Sequence, residues 1–347
     1  MNRPCARVVG IAHHLPATPL TNEALSDEFP AWDAMKIESK TGIIARRMSA
    51  PGECASDLGV RAARALFEQG VVAPADVDFL LFCTQSPDHF LPTTACLVHA
   101  RLGLRESCAS IDVNQGCSGY VYSLALAKGL IEGGLATNVL LVTADTYTKF
   151  INPGDWGTRV LFGDGAAVTW VRRDDNGDGT DGPGKLTGPF VFGTDGLGAP
   201  NLIVPAGGLR MPATDEMRVA SVDESGNRRA PADLYMNGPE VFAFTLRAVP
   251  DAVNTLLERA GLHRDDIDLF VFHQANKFML DRLRDKLGIA PERFVVDLAD
   301  TGNTVSSSIP IALDRARDQG KLRPGDLVML VGFGVGYSWA ATLIRGF

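Results

Sequence analysis

A chain of 347 residues, 46% hydrophobic and 21% charged, has room for two domains or one large double one and the balance of an ordinary globular protein, which excludes a disordered or fibrous class. A formal net charge of −8 excludes nucleic-acid binding across the whole surface, while leaving room for a local basic patch that meets an acidic partner. The six cysteines, at positions 5, 54, 83, 96, 108 and 117, show no CxxC pair and no metal-ligand spacing, so reduced, mostly buried thiols in a cytoplasmic protein are expected.

Met1 to His14 carries a short apolar run broken by Gly10 and two histidines, too short for a signal peptide. Nowhere does the chain approach the roughly 18 consecutive apolar residues of a membrane span, so neither export nor a spanning segment is expected. Arg7 to Ile11 predicts a first strand, and Thr21-Asn22-Glu23 opens a capped helix. Met35 to Met48 is polar and basic, with Lys36, Lys40, Arg46 and Arg47 around Thr41-Gly42. Ser56 to Gln69 reads as an amphipathic helix ending at Gly70, and Val77 to Cys83 as a strand buried on both faces. A helix from Thr93 to Leu102 follows.

Ala109 to Val113 is a β-type run that meets a small-residue corner, Gly116-Cys117-Ser118-Gly119, and then a helix rich in Leu and Ala from Tyr120 to Ile131. That corner puts the Cys117 sulfur at a helix N-terminus, where unpaired N–H groups and the positive end of the macrodipole favour thiolate over thiol. Several unrelated enzymes present a nucleophile on such a corner, and a buried structural cysteine is the competing reading. Strands at Asn138 to Thr143 and Ala166 to Arg172 complete a first half.

Asp174 to Gly188, dominated by Asp and Gly, predicts a mobile surface loop joining halves at 1–173 and 189–347. Arg210 to Pro231 is a polar insertion whose Arg228-Arg229 pair reads as solvated surface. The second half then repeats the first. Asp266 to His273 matches Asp76 to Cys83 almost position by position, each after an amphipathic helix that ends in Gly. Asp326 to Val331 and Trp339 to Ile344 echo Asn138 to Thr143 and Ala166 to Arg172. Strands alternating with helices twice over imply two α/β halves with mainly buried sheets.

His273 ends a buried strand, and alone it reads as a satisfied core residue as readily as a functional one. Asn303 lies in the polar turn Asp300 to Ser308, which caps a helix Ile309 to Gln319. Phe333-Gly334-Val335-Gly336-Tyr337 lies between the last two strands, where small residues let backbone N–H groups face a ligand or simply make a tight connection. Together, Val113 to Tyr120, Phe272-His273-Gln274-Ala275-Asn276, Gly302-Asn303-Thr304 and Phe333 to Trp339 occur in the order and positions of the β-ketoacyl-acyl-carrier-protein synthase III family. The chain resembles that family along nearly its full length, including Lys40-Thr41-Gly42-Ile43 and Gly157-Thr158 followed by Leu161 to Ala166.

The resemblance implies a thiolase-like five-layered α-β-α-β-α fold of two duplicated halves, usually a homodimer. It implies that Cys117 carries the acyl group and that the backbone N–H groups of Cys117 and Val335 hold the oxyanion. His273 and Asn303 would then hydrogen-bond the thioester carbonyl of a malonyl extender as CO2 leaves. The substrates implied are thioesters of coenzyme A and of a phosphopantetheine-bearing carrier protein, with no metal and no redox cofactor. The implied binding residues are Lys36, Lys40, Thr41, Leu91, Trp156, Gly157, Phe162, Met236, Gly238, Phe242, Asn276, Phe333 and Gly334.

The chain departs from the family's housekeeping members in several places. Lys36 stands where those have a Trp and Trp156 where they have an Arg, the pair that sandwiches the adenine of coenzyme A, so a Lys–Trp clamp is expected. After Asn276 comes Lys277-Phe278 in place of a hydrophobic residue and a carrier-docking Arg. Lys277, Arg284 and Lys286, on or near one helical face, are the expected replacements, with solvated charge the plainer reading. Val335 takes a position that is commonly Gly or Ala, and Leu91 one where a bulky Phe meets the acyl pocket from across the dimer. A changed primer pocket and a specialised paralogue, as in secondary metabolism, are the expectation. Decarboxylative Claisen condensation is the leading reading because Asn303 accompanies His273. The alternatives are acyl transfer to an alcohol or amine with His273 as general base, and a catalytically silent partner subunit.

Overall fold

The computed structural model describes residues 4–29, 32–174, 185–186 and 188–347. In the first half, strands β1 (Cys5–His14), β2 (Phe79–Cys83), β3 (Ala109–Val113), β4 (Asn138–Asp145) and β5 (Gly165–Asp174) form one sheet in the order β1-β5-β4-β2-β3. Strand β2 is parallel to β3 and β4, whereas β5 runs antiparallel to both β4 and β1. In the second half, β6 (Phe190–Thr194), β7 (Leu269–Phe272), β8 (Leu327–Gly334) and β9 (Ser338–Arg345) take the order β7-β8-β9-β6, with β7 parallel to β8 and the others antiparallel. The two plans coincide, β7, β8, β9 and β6 answering to β2, β4, β5 and β1. Where β3 would find its counterpart, the second half keeps a single parallel bridge between Phe270 and Phe294.

Helices α1 (Asn22–Glu28), α2 (Ala34–Thr41), α3 (Ala55–Glu68), α4 (Thr94–Leu102), α5 (Gly119–Glu132), α6 (Gly238–Ala260), α7 (Lys277–Leu287) and α8 (Ser308–Asp318) cover and separate these sheets. Helices α5 and α8 lie between them. Tyr120, Leu124 and Ile131 of α5 and Ile309 and Leu313 of α8 share one buried cluster with Leu81 and Val139 of the first sheet and Val271 and Leu330 of the second. Each such aliphatic side chain contributes about 1.5–3 kcal/mol on burial, so the middle layer is a stiff platform. On the outer faces, Leu58, Leu66 and Val98 of α3 and α4 meet Phe82 and Val142, and Val249, Leu256 and Leu280 of α6 and α7 meet Phe270 and Met329. The result is the five-layered α-β-α-β-α arrangement expected of the sequence. The C-terminal ends of β2, β4, β7 and β8 and the N-termini of α5 and α8 converge at one edge of the platform, the usual place for a site in an α/β sheet.

Some local expectations change. Most of the predicted connecting loop, residues 175–184 and 187, lies outside the described residues. Leu186 is buried and its N–H donates to Ala6 O at 2.9 Å, extending the β1 edge. The polar insertion contains a short hairpin, Ser221–Val222 against Arg228–Arg229. Arg228 is exposed, but Arg229 corrects the expectation of solvated charge: its guanidinium lies 3.1 Å from the fully buried Asp155 and also pairs with Asp223. A buried carboxylate needs a cation beside it, and this residue supplies one from 74 positions away. All six cysteines are free: Cys83, Cys108 and Cys117 are buried, Cys5 and Cys54 partly so, and Cys96 is exposed. Among the described residues, no helix is long and apolar enough to cross a membrane.

Candidate active site

The Cys117 corner closes only because glycines let three backbones meet. A Cβ on Gly116 would sit 2.5 Å from Val335 Cγ1 and collide with Gln85 Oε1, and one on Gly119 would sit 2.5 Å from Cys83 Sγ. From the second sheet, a Cβ on Gly334 would lie 2.8 Å from the Cys117 sulfur, and one on Gly332 would lie 2.9 Å from the Cys117 carbonyl oxygen. The end of β8 thus rests on Cys117. Ser338 Oγ, 2.7 Å from Ser118 Oγ, donates to Val335 O at 2.8 Å and holds the β8–β9 turn there.

The sulfur is at a helix N-terminus, as the sequence predicts, but the expected thiolate is not its resting form. Burial pushes the Cys117 thiol up to about 12, the Asp145 charge adds to that, and the Val335 and Cys117 N–H groups pull the other way. Those N–H groups face the sulfur, but with Cys117 only 4% exposed they do not replace the water it has lost.

His273 follows β7 and is buried, its Nδ1 2.7 Å from Ser308 Oγ and its ring edge-on to Phe333. Burial lowers its pKa to about 3, with a smaller opposing pull from the Val305 backbone, so the imidazole is neutral at ordinary pH. Ser308 Oγ accepts the Gln274 N–H at 3.3 Å. Its own proton has Nδ1 as acceptor, which places the ring proton on Nε2.

Asn303 is fixed by its backbone and its side chain. Its N–H donates to Leu161 O at 2.8 Å and its carbonyl accepts from Gly163 N at 3.0 Å, making a parallel bridge to Phe162. Its Oδ1 accepts from Val305 N at 2.9 Å, which turns the Nδ2 donor outward. The polar turn therefore does not cap the following helix through Asn303. A 3-10 turn, Val305–Ser307, intervenes before α8. Val305 takes a φ of 53°, an outlier for a β-branched residue that stores about 1–3 kcal/mol of strain beside both His273 and Asn303.

One residue that sequence reasoning passed over underlies this turn. Asp145, at the end of β4, is fully buried and accepts from Gln85 N at 2.8 Å, Thr84 Oγ1 at 3.4 Å, Ser306 N at 3.3 Å and Ser306 Oγ. No cation pairs with it among the described residues, and burial raises its carboxyl to about 7. It ties the Cys117 half to the Asn303 turn of the other half.

Cys117, His273 and Asn303 open together on a cavity of about 340 Å³. Residues 111–196 match the family described as 3-oxoacyl-[acyl-carrier-protein] synthase III, and residues 257–346 match its C-terminal part. The chain belongs to the 3-oxoacyl-acyl-carrier-protein synthase III family. The β-ketoacyl-acyl-carrier-protein synthase III of Caldanaerobacter subterraneus subsp. tengcongensis is 37% identical over 98% of this chain and 97% of its own. A crystal structure of a 3-oxoacyl-acyl-carrier-protein synthase III is 52% identical, with a TM-score of 0.95 over 98% of this chain and 99% of that one. The 3-oxoacyl-acyl-carrier-protein synthase from Burkholderia xenovorans is 35% identical, with a TM-score of 0.87 over 99% and 96%. These relatives bear out the thiolase-like fold and the reading as an acyl-transferring synthase.

In this synthase III the cavity is lined by Phe162, Met236, Gly238, Phe242, Asn276, Phe333 and Gly334, all named from the sequence, and also by Leu202, Thr245 and Phe278, which were not. Phe278 stacks on Phe242 at 5.5 Å and carries the Arg282 guanidinium 5.3 Å from its ring. The remaining sequence-predicted residues lie elsewhere. Leu91 is 86% exposed on this chain, and the Gly157 N–H donates to Asn227 Oδ1 at 3.1 Å. The buried Thr41 hydroxyl donates to Ile37 O at 2.8 Å and accepts from Ile43 N at 3.0 Å, so it closes α2.

At the positions expected to form a Lys36–Trp156 clamp, Trp32 lies beside both residues. Trp32 packs on Trp156 with ring centroids 4.2 Å apart, and the ammonium groups of Lys40 and Lys36 lie 4.6 and 4.9 Å from the Trp32 ring. Of the three α7 cations expected to replace the docking Arg, Lys277 pairs with Asp281, and Arg284 with Asp281 and Asp285. Lys286 donates to Leu246 O at 2.8 Å, and nine positions beyond Lys277 it lies about half a turn round the helix, not on the shared face expected.

Proposed function

We propose that this synthase III loads an acyl group from a coenzyme A or carrier-protein thioester onto Cys117 and condenses it with malonyl carrier protein. The products are CO2 and a 3-oxoacyl carrier protein. The observation that carries the reading is the cavity where a buried thiol, a neutral imidazole and an amide donor meet. In loading, Sγ bonds to the acyl carbon, the donor's C–S bond breaks, and the thiol proton leaves with the departing thiol. The Cys117 and Val335 N–H groups hold the oxyanion, each such donor contributing about 3–4 kcal/mol in the transition state. In condensation, the carboxylate C–C bond breaks and its electron pair passes to the thioester enolate. Asn303 Nδ2–H and His273 Nε2–H meet that enolate oxygen. The carbanion then bonds to the acyl carbon and expels Sγ. No step as written draws on a metal or redox group.

A general base works best with a pKa near the operating pH. His273, lowered to about 3, is matched to donating a hydrogen bond and poorly matched to deprotonating an alcohol or amine, which counts against the transfer alternative. We place the donor's nucleotide end at Trp32, Lys36, Lys40 and Trp156, since α2 reaches the cavity wall where Gly42 abuts Lys277. A homodimer is supported by the outermost position of β3, whose Ile111 is 44% exposed, and by the bare Phe90 and Leu91. Unpaired cysteines suit the cytoplasm, and the Lys36, Trp156 and Phe278 departures suit a specialised role.

The test is intact-protein mass after incubation with acyl thioesters, comparing wild type with Cys117→Ala, followed by malonyl carrier protein. A cysteine-dependent adduct that clears with release of CO2 is expected. An adduct cleared by alcohols or amines and untouched by malonyl carrier protein would establish the transferase instead. No adduct from any donor would leave the silent subunit.

A further inference from the structure

In the proposed condensation the Asn303 amide has to present Nδ2–H, and its direction is set by the Val305 N–H that donates to Oδ1 at 2.9 Å. Turned the other way, the amide would aim an oxygen at a developing negative charge and repel it. The bridge to Phe162 fixes the Asn303 backbone and leaves that rotation free. The aim therefore depends on where the Val305 N–H points. Val305 has a φ of 53°, a conformation that a valine keeps only when its surroundings hold it there.

The next residue supplies such a hold. Ser306, 1% exposed, gives both its N–H, at 3.3 Å, and its hydroxyl to Asp145 Oδ2. The other oxygen, Oδ1, takes the Gln85 N–H at 2.8 Å and the Thr84 hydroxyl at 3.4 Å. One oxygen is thus anchored in the first half of the molecule, and the other grips the turn of the second. Val305 is caught between two bonds, its own N–H taken by Asn303 and that of Ser306 by Asp145. His273 rests on a different support, with Nδ1 2.7 Å from Ser308 Oγ. A fully buried carboxylate with no cation beside it among the described residues costs stability, and what it delivers here is this grip.

We infer that Asp145 is a positioning residue of the condensation: acting through Ser306, it holds Val305 in its strained conformation and so aims the Asn303 amide at the enolate. The inference rests on the condensation reading and adds to it a residue outside the cavity lining. Loading of Cys117 draws on the Cys117 and Val335 N–H groups and not on this grip. Its loss therefore separates the two half-reactions.

Both are measured at pH 8, above the titration of the carboxyl near 7. Cys117 acylation is read by intact mass, with whichever of acetyl-, butyryl- and octanoyl-coenzyme A loads the wild type fastest, and CO2 release is followed from malonyl carrier protein. Ser306→Ala, which removes the hydroxyl and keeps the N–H, is expected to slow CO2 release about tenfold. Asp145→Asn, which sets an NH2 group among donors, is expected to slow it about a hundredfold, as a small misplacement of a reacting group does. Both are expected to keep the KM for malonyl carrier protein and at least about a third of the wild-type acylation rate. The double variant should be about as slow as Asp145→Asn, since the two residues act as one unit. If Asp145→Asn does not fold, Ser306→Ala decides. CO2 release unmoved in either folded variant, or a fall that acylation shares equally, overturns the inference and leaves condensation standing. A wild type that releases no CO2 removes both.

Discussion

Asp145→Asn is the substitution whose effect the structure sizes most directly. The carboxyl is fully buried, its four donors are all neutral, and it titrates near 7, displaced upward from its ordinary 3.8 chiefly by burial. A carboxyl with a raised pKa keeps its proton in the folded state after the unfolded chain has lost its own. Its contribution to stability is therefore complete below about 3.8 and is lost as pH rises through about 7. At about 1.4 kcal/mol for each pH unit, the interval amounts to about 4 kcal/mol, of which about 3 falls between pH 5 and 7. Asparagine has no proton to lose and presents an NH2 group to two of the donors. The variant should be the less stable protein at pH 5, and the gap should close toward pH 8. Urea unfolding of both proteins at fixed pH from 5 to 8 measures this, since contributions from every other group cancel in the difference. Parallel stability curves would refute the reasoning: the carboxyl would then be ionised throughout, and burial would not govern it.

Two further outcomes follow from groups already placed. With the Cys117 thiol held at about 12 against an ordinary 9.0, alkylation by iodoacetamide should climb about tenfold per pH unit through pH 10 without levelling off, and Asp145→Asn should label faster at pH 8 because one charge opposing the thiolate is gone. A plateau near pH 7, read by intact mass, would restore the resting thiolate that the helix N-terminus suggests. Arg229→Ala strands the buried Asp155 carboxylate and should lower stability by about 3–5 kcal/mol, read as a fall in the urea midpoint, with Arg229→Lys recovering part. A loss under about 1 kcal/mol would return Arg229 to the solvated surface.

The strands and the corner were legible because their causes are local. Phe79–Cys83 and Leu269–Phe272 are apolar runs with no polar face, as strands covered on both sides must be, and their matching flanks disclose the duplication that sets His273 at the end of one and Cys83 at the end of the other. Gly116 and Gly119 announce a tight turn, and Asn303 lies in a turn whose backbone the structure does fix. What the sequence hides is whatever depends on partners far along the chain. The helix N-terminus at Cys117 is visible in sequence and the walls that exclude water from the sulfur are not, so the thiolate was expected and the thiol is found. Trp32 meets Trp156 across 124 positions, and neither residue type predicts the other. Asp145 reads as an unremarkable strand-end Asp until Ser306 arrives from the second half. Lys286 is the exception, since counting nine positions round a helix from Lys277 would have separated them without a structure.

The backbone bridge between Phe162 and Asn303 gears two properties of the enzyme together. Phe162 lines the cavity, and Asn303 aims the amide that would meet the enolate, yet each holds the other's backbone in place. Widening the wall at 162 would therefore also move the amide proposed to meet the enolate, so breadth of substrate and speed of turnover would change in step there.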